Sequence, residues 1–128
     1  VPHSVGHEVR VDRANLLIDV TLRGSLSPED LGWIGEEVRA VIRTFGPDAG
    51  KHRTLYDVSG ITVLPQASAQ AVIDSFAHPS VRPLWARKLA YVVTTTLIRR
   101  QLRRLAEVRP DLRIFEDRDA ALAWLLED

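Results

Sequence analysis

At 128 residues the chain has the length of one domain, and a chain of this size buries roughly two-thirds of its unfolded surface, enough for a core of its own. An apolar share of 45% and a charged share of 27% are those of a globular protein and argue against disorder. Seventeen basic and seventeen acidic residues cancel, so no global field draws the protein to nucleic acid or membrane, and the lack of cysteine excludes disulfides, thiolate zinc sites and cysteine nucleophiles.

No apolar run approaches the roughly 18 residues that a membrane span needs. Val1 to Arg10 lack a basic segment followed by an apolar stretch, so a signal peptide is not expected and a cytoplasmic setting is. The chain has no methionine, so Val1 is not expected to be the translation start.

His7 to Asp12 and Asn15 to Leu22 read as two strands, joined by a short link at Asp12–Asn15. Gly24 ends the ladder. Ser27-Pro28-Glu29-Asp30 is a helix start, with a capping serine, proline at the first helical position and an acid three residues after the cap. Leu31, Ile34, Val38, Val41, Ile42 and Phe45 keep a helical period until Gly46-Pro47 stops it. After a polar loop from Pro47 to His52, Thr54 to Val58 reads as a buried strand.

A second helix is expected from Pro65 or Gln66 to His78-Pro79. Lys88 to Thr94 is apolar enough for a central strand of a parallel sheet. Thr95 or Thr96 caps a third helix, which runs to about Val108 before Pro110. Leu112 to Phe115 is a short last strand, and Asp117 to Glu127 a last helix with Ala121, Trp124 and Leu125 on one face. The order ββαβαβαβα implies an α/β fold in one domain spanning residues 1–128. A hairpin leads into parallel strands joined by right-handed crossovers.

Two segments carry a family likeness. Leu55-Tyr56-Asp57-Val58-Ser59-Gly60-Ile61 resembles the third-strand region of STAS domains. The run from Arg113 to Leu125, with Ile114-Phe115 and Ala121-Leu122-Ala123-Trp124-Leu125, is similar to the C-terminal strand and helix of the SpoIIAA-like group. The resemblance implies a STAS-like (SpoIIAA-like) mixed sheet with packed helices. The group is also related in shape to SEC14-type lipid-binding domains, which implies that an apolar ligand is conceivable. Anti-anti-sigma STAS proteins carry a phosphorylatable serine after an aspartate at the start of the second helix. Counted from Asp57, that pair falls here on Pro65 and Gln66, while Ser68 lies nearby without a preceding aspartate. The resemblance thus implies a switch position that this chain leaves without its phosphoacceptor.

The residues themselves offer no catalytic constellation, no HExxH pair, no Gly-x-Ser-x-Gly elbow and no Walker-type loop. His3, His7, His52 and His78 lack converging ligands and read as surface histidines, so no metal or other cofactor is expected. Gly32-Trp33-Ile34-Gly35 looks like the GxxG loop of KH-type RNA binders, but it lies in a helical pattern flanked by Asp30, Glu36 and Glu37. It reads as a place of close backbone packing. Arg99, Arg100, Arg103 and Arg104 stack like charges at i, i+4 beside Thr94-Thr95-Thr96, either as an anion or acidic-partner site or as a solvated face. Trp33, Phe76 and Trp85 are candidates to line an apolar pocket or simply to pack. Asp57, at the carboxyl end of its strand, is a site candidate by position.

The expectation is therefore a non-enzymatic regulatory or protein-interaction domain that uses Asp57, Ser59, Gln66 and Ser68, within the loop from Ser59 to Gln70. The alternative is a binder of a small apolar or amphiphilic ligand, with Trp33, Phe76 and Trp85 around the ligand and Arg99, Arg100, Arg103 and Arg104 holding an acidic head. The expected partner is an unidentified protein or such a ligand, with a homodimer among the options and no nucleic acid.

Overall fold

The computed structural model describes residues 6–61 and 64–127; His3 lies outside them, as do residues 62 and 63 of the expected interaction loop. Five strands form one mixed sheet in the order β1-β2-β3-β4-β5. They are β1 (His7–Asp12), β2 (Leu17–Arg23), β3 (Arg53–Gly60), β4 (Lys88–Val92) and β5 (Arg113–Phe115). β1 runs antiparallel to β2, and every later neighbour is parallel. The helices are α1 (Pro28–Thr44), α2 (Gln66–Ala77), α3 (Thr96–Val108) and α4 (Arg118–Leu125). All nine expected elements form. β2 starts two residues later than expected because Leu16 takes a left-handed turn conformation, φ 51°.

A sheet laid down in sequential parallel order with crossovers of one hand places α1, α2 and α3 on the same face. That face holds the larger core: Ile18, Val20 and Leu22 of β2 and Leu89 and Tyr91 of β4 meet Ile34, Val38 and Ile42 of α1 and Ile98, Leu102 and Leu105 of α3. The period of two sends Leu17, Leu55, Ala90 and Val92 to the opposite face, where α4 covers them with Ala121 and Leu125.

The caps follow from local chemistry. Ser27 Oγ accepts from Asp30 N at 3.0 Å while the Asp30 carboxylate accepts from Ser27 N, a complete capping box. Thr95 caps α3 by accepting from Ile98 N, and Asp117 caps α4 by accepting from Asp119 N and Ala120 N. Pro65 sits at the cap position of α2, one place before the helix, and provides no side-chain bond. At the exit of β3, a Cβ on Gly60 would come within 2.6 Å of Arg23 Cβ, so only glycine permits this approach of β3 to β2.

Candidate functional site

Two adjoining cavities lie between the helical layer and the sheet. The larger, about 170 Å³, is bordered by α1, α2, α3 and strands β2 to β4. Its wall is almost wholly apolar, with Leu31, Ile61, Val72, Phe76, Ile98 and Leu102 among the contributors. The polar exceptions are Arg39, Tyr56, Tyr91, Ser75 and Gln101. Gln101 donates from Nε2 to the Leu64 carbonyl at 2.7 Å, and its buried Oε1 has no partner among the described residues. Tyr56 and Tyr91 stack at 5.2 Å between centroids. Burial pushes the Tyr56 hydroxyl up to about 12 and that of Tyr91 well above its ordinary value, so both remain protonated donors.

The smaller cavity, about 70 Å³, shares Gly35, Arg39, Tyr56, Ser75 and Phe76 with the first. Its other walls include His52, Thr54, Trp85, Leu89 and Arg109. Arg109 is 1% exposed, donates to the Ala86 carbonyl at 2.6 Å and to Asp111 at 2.8 Å, and lies over the Trp85 ring at 4.5 Å. Arg82 stacks on the same ring at 4.0 Å. His52 is fully buried, contrary to its expected surface position. It begins the alternation His52, Thr54, Tyr56, Val58, and so points with them into the larger core. Its Nδ1 accepts from Gly50 N at 3.1 Å. Burial, assisted by the Arg109 charge, lowers its pKa from 6.5 to about 4.

The sequence candidates fall in different places. Phe76 lines both cavities and Trp85 the smaller one, whereas Trp33 is 69% exposed and lines neither. Arg99, Arg100, Arg103 and Arg104 line neither cavity either, because α3 turns Ile98, Leu102 and Leu105 inward and the arginines outward. Arg99 lies 3.4 Å from Glu116, and Arg104 donates to Gln70 at 2.5 Å. Close backbone packing is absent at Gly32, where an added Cβ would meet nothing within 4 Å; at Gly35 it would meet the Arg39 guanidinium at 3.1 Å. Both glycines instead border the larger cavity. Gln66 is exposed, and Ser68 is fully buried with its hydroxyl donating to the Leu26 carbonyl at 2.7 Å.

Asp57 is not an open ligand group. One carboxylate oxygen accepts from Ser59 N and Ser59 Oγ, at 3.1 and 2.6 Å, and the other from Arg118 at 3.2 Å. Arg118 opens α4 and also donates to Asp19 of β2, so one guanidinium ties the helix to two neighbouring strands. The two carboxylates are 14% and 13% exposed and the arginine 34%. Arg118→Ala should lower stability by about 2 kcal/mol, the cost of stranding two carboxylates, discounted for the solvent that reaches the arginine. Denaturant titration checks the loss. Adding Asp19→Asn and Asp57→Asn should restore part of it.

This architecture agrees with what comparison finds. The sequence matches the SpoIIAA-like family profile over residues 17–126. The chain belongs to the SpoIIAA-like family. Among solved structures, this SpoIIAA-like chain is similar to an uncharacterized protein of the DUF3478 family with a SpoIIAA-like fold from Shewanella loihica PV-4. That protein is 18% identical, the match covers 94% of each chain, and the TM-score is 0.68. It is also similar to an anti-sigma factor antagonist from Mycobacterium paratuberculosis, at 13% identity and a TM-score of 0.63, over 99% of this chain and 98% of that one. At these identities the likeness establishes the shared fold. No curated protein matches the chain. Among the described residues, no helix of this SpoIIAA-like chain is long and apolar enough to cross a membrane.

Proposed function

We propose that this SpoIIAA-like domain binds a small apolar or amphiphilic molecule between its helical layer and its sheet, without transforming it. The observation that supports this reading is the larger cavity of about 170 Å³, bordered by Gly32 and Gly35 and walled by aliphatic and aromatic side chains. Concave, mostly apolar clefts with a few polar groups are the usual form of small-molecule sites. The arginines of α3 are not part of this reading, since they lie outside both walls.

Native mass spectrometry of the protein as purified, together with titration by 1-octanol, tests it. A bound mass or saturable octanol binding is expected, and Val72→Phe, which fills the cavity, should abolish either. A protein that carries no adduct and does not bind octanol would sink the reading.

A second reading, regulation through a protein partner, is favoured by the exposed Trp33 indole on α1 and by the fold shared with an anti-sigma factor antagonist. Aromatic side chains are frequent anchors of protein interfaces. Trp33→Ser should then weaken partner or self-association measured by sedimentation, and leave octanol binding intact. In either reading, phosphorylation at the start of α2 is not the expected control. Gln66 has no hydroxyl, and Ser68 Oγ is buried against Leu26. Mapping sites after incubation with host serine kinases checks this, and stoichiometric phosphate on Ser68 would refute it.

A further inference from the structure

The smaller cavity has a composition unlike that of a simple packing gap. Two arginines, Arg39 and Arg109, form part of its wall, and among the described residues no aspartate or glutamate does. Arg39 reaches outward to Glu36 at 2.5 Å, and Arg109 to the half-exposed Asp111, so both counter-charges lie outside the cavity. Two of its side chains also carry buried nitrogens without partners among the described residues, His52 Nε2 and Trp85 Nε1. Because His52 Nδ1 accepts from Gly50, the neutral ring has its proton on Nε2. Both orphan groups are therefore donors. Buried donors are nearly always paired with an acceptor, and each one left unpaired calls for an explanation.

A largely apolar cavity bordered by two arginines and by side chains with unsatisfied donors, with no acid, is complementary to a small anionic end of an apolar molecule. Its dimensions suit a group of a few atoms. It adjoins the apolar cavity, since Gly35, Arg39, Tyr56, Ser75 and Phe76 line both. Tyr56 adds a protonated hydroxyl at that junction. A molecule filling both spaces would be apolar for most of its length and end in a small acidic group.

We infer that the ligand is an aliphatic or aromatic monocarboxylic acid, with its tail in the apolar cavity and its carboxylate among Arg39, Tyr56, His52, Trp85 and Arg109. This rests on the apolar-ligand reading above and specifies the head group. Charge-assisted hydrogen bonds from guanidinium to carboxylate are the strong ones. The surface arginines of α3 have no role in it.

Octanoate and 1-octanol, equal in chain length and different in head group, are the probes. Octanoate should bind about tenfold more tightly than octanol, as charge assistance predicts. Arg39→Met, which keeps bulk and removes charge, should reduce that ratio to near one. The indole N–H resonance of Trp85, assigned with Trp85→Phe, should shift on saturation with octanoate and stay in place with octanol. The partly exposed Arg39 is chosen because Arg109 variants are expected to unfold readily. Equal affinity for both probes, or octanoate binding with an unmoved Trp85 resonance, would overturn the acid-head inference and leave the cavity reading standing, with ordered water then serving the two donors. Failure of both probes to bind would overturn the cavity reading and this inference together.

Discussion

Arg109→Ala should destabilise the protein by about 3 kcal/mol, the range for leaving a buried carbonyl without its donor and opening a void. The guanidinium is 1% exposed and ties the end of α3 to the segment before β4. It holds the Ala86 carbonyl before β4, Asp111 before β5, and the face of Trp85. Truncation leaves the Ala86 carbonyl without its donor and opens space beside His52 and Trp85. Asp111 is 56% exposed and rehydrates at little cost, so the loss comes from the carbonyl and the void rather than from the ion pair. Arg109→Lys keeps a charge but not the planar fork, and should fall between the two. Urea titration of the three proteins measures this. A loss below about 1 kcal/mol for Arg109→Ala, within the range of ordinary surface changes, would show that the network is dispensable.

Acid should unfold this protein earlier than its carboxylates alone require, because of His52. Its folded pKa of about 4 lies below the ordinary 6.5, so the folded state binds this proton less readily than the unfolded chain does. Stability is complete above about pH 6.5 and falls as the pH drops through 6.5 towards 4. The accumulated loss is about 3 kcal/mol, at 1.36 kcal/mol for each unit of separation. The cause is first the removal of the ring from water and second the neighbouring Arg109 charge. His52→Asn retains an acceptor for Gly50 N and does not titrate. The difference between wild-type and variant stabilities, measured from pH 7 to pH 4, should therefore narrow as the pH falls. A constant difference across that range would show that His52 does not supply the acid sensitivity.

Local sequence determined the elements of this SpoIIAA-like fold. The capping box at Ser27, the threonine cap at Thr95, the stops at Gly46-Pro47 and Pro110, and the periods of Ile34-Val38-Ile42 and Ile98-Leu102-Leu105 act over a few residues. So do the hairpin and the alternation that separates the two faces of the sheet. Element order then determined the parallel sheet, because short crossovers of one hand allow few other arrangements.

The fate of polar residues on buried faces was decided only in three dimensions. Arg109 continues the buried row Ile98, Leu102, Leu105 of α3, and Arg118 begins the row Ala121, Leu125 of α4. In each case the periodicity placed the residue inward, but an arginine on such a stripe has no local partner to declare its role. Its acceptors, the Ala86 carbonyl for one and Asp19 and Asp57 for the other, come from segments 23, 99 and 61 residues away. The conspicuous arginines at 99, 100, 103 and 104 are conspicuous because they are adjacent in sequence, and adjacency on an amphipathic helix turns them to solvent. Those at 39 and 109 are far apart in the chain and border one cavity because the helical layer folds back onto the sheet. A cavity is the space left between elements, so its lining has no signature in any single one of them.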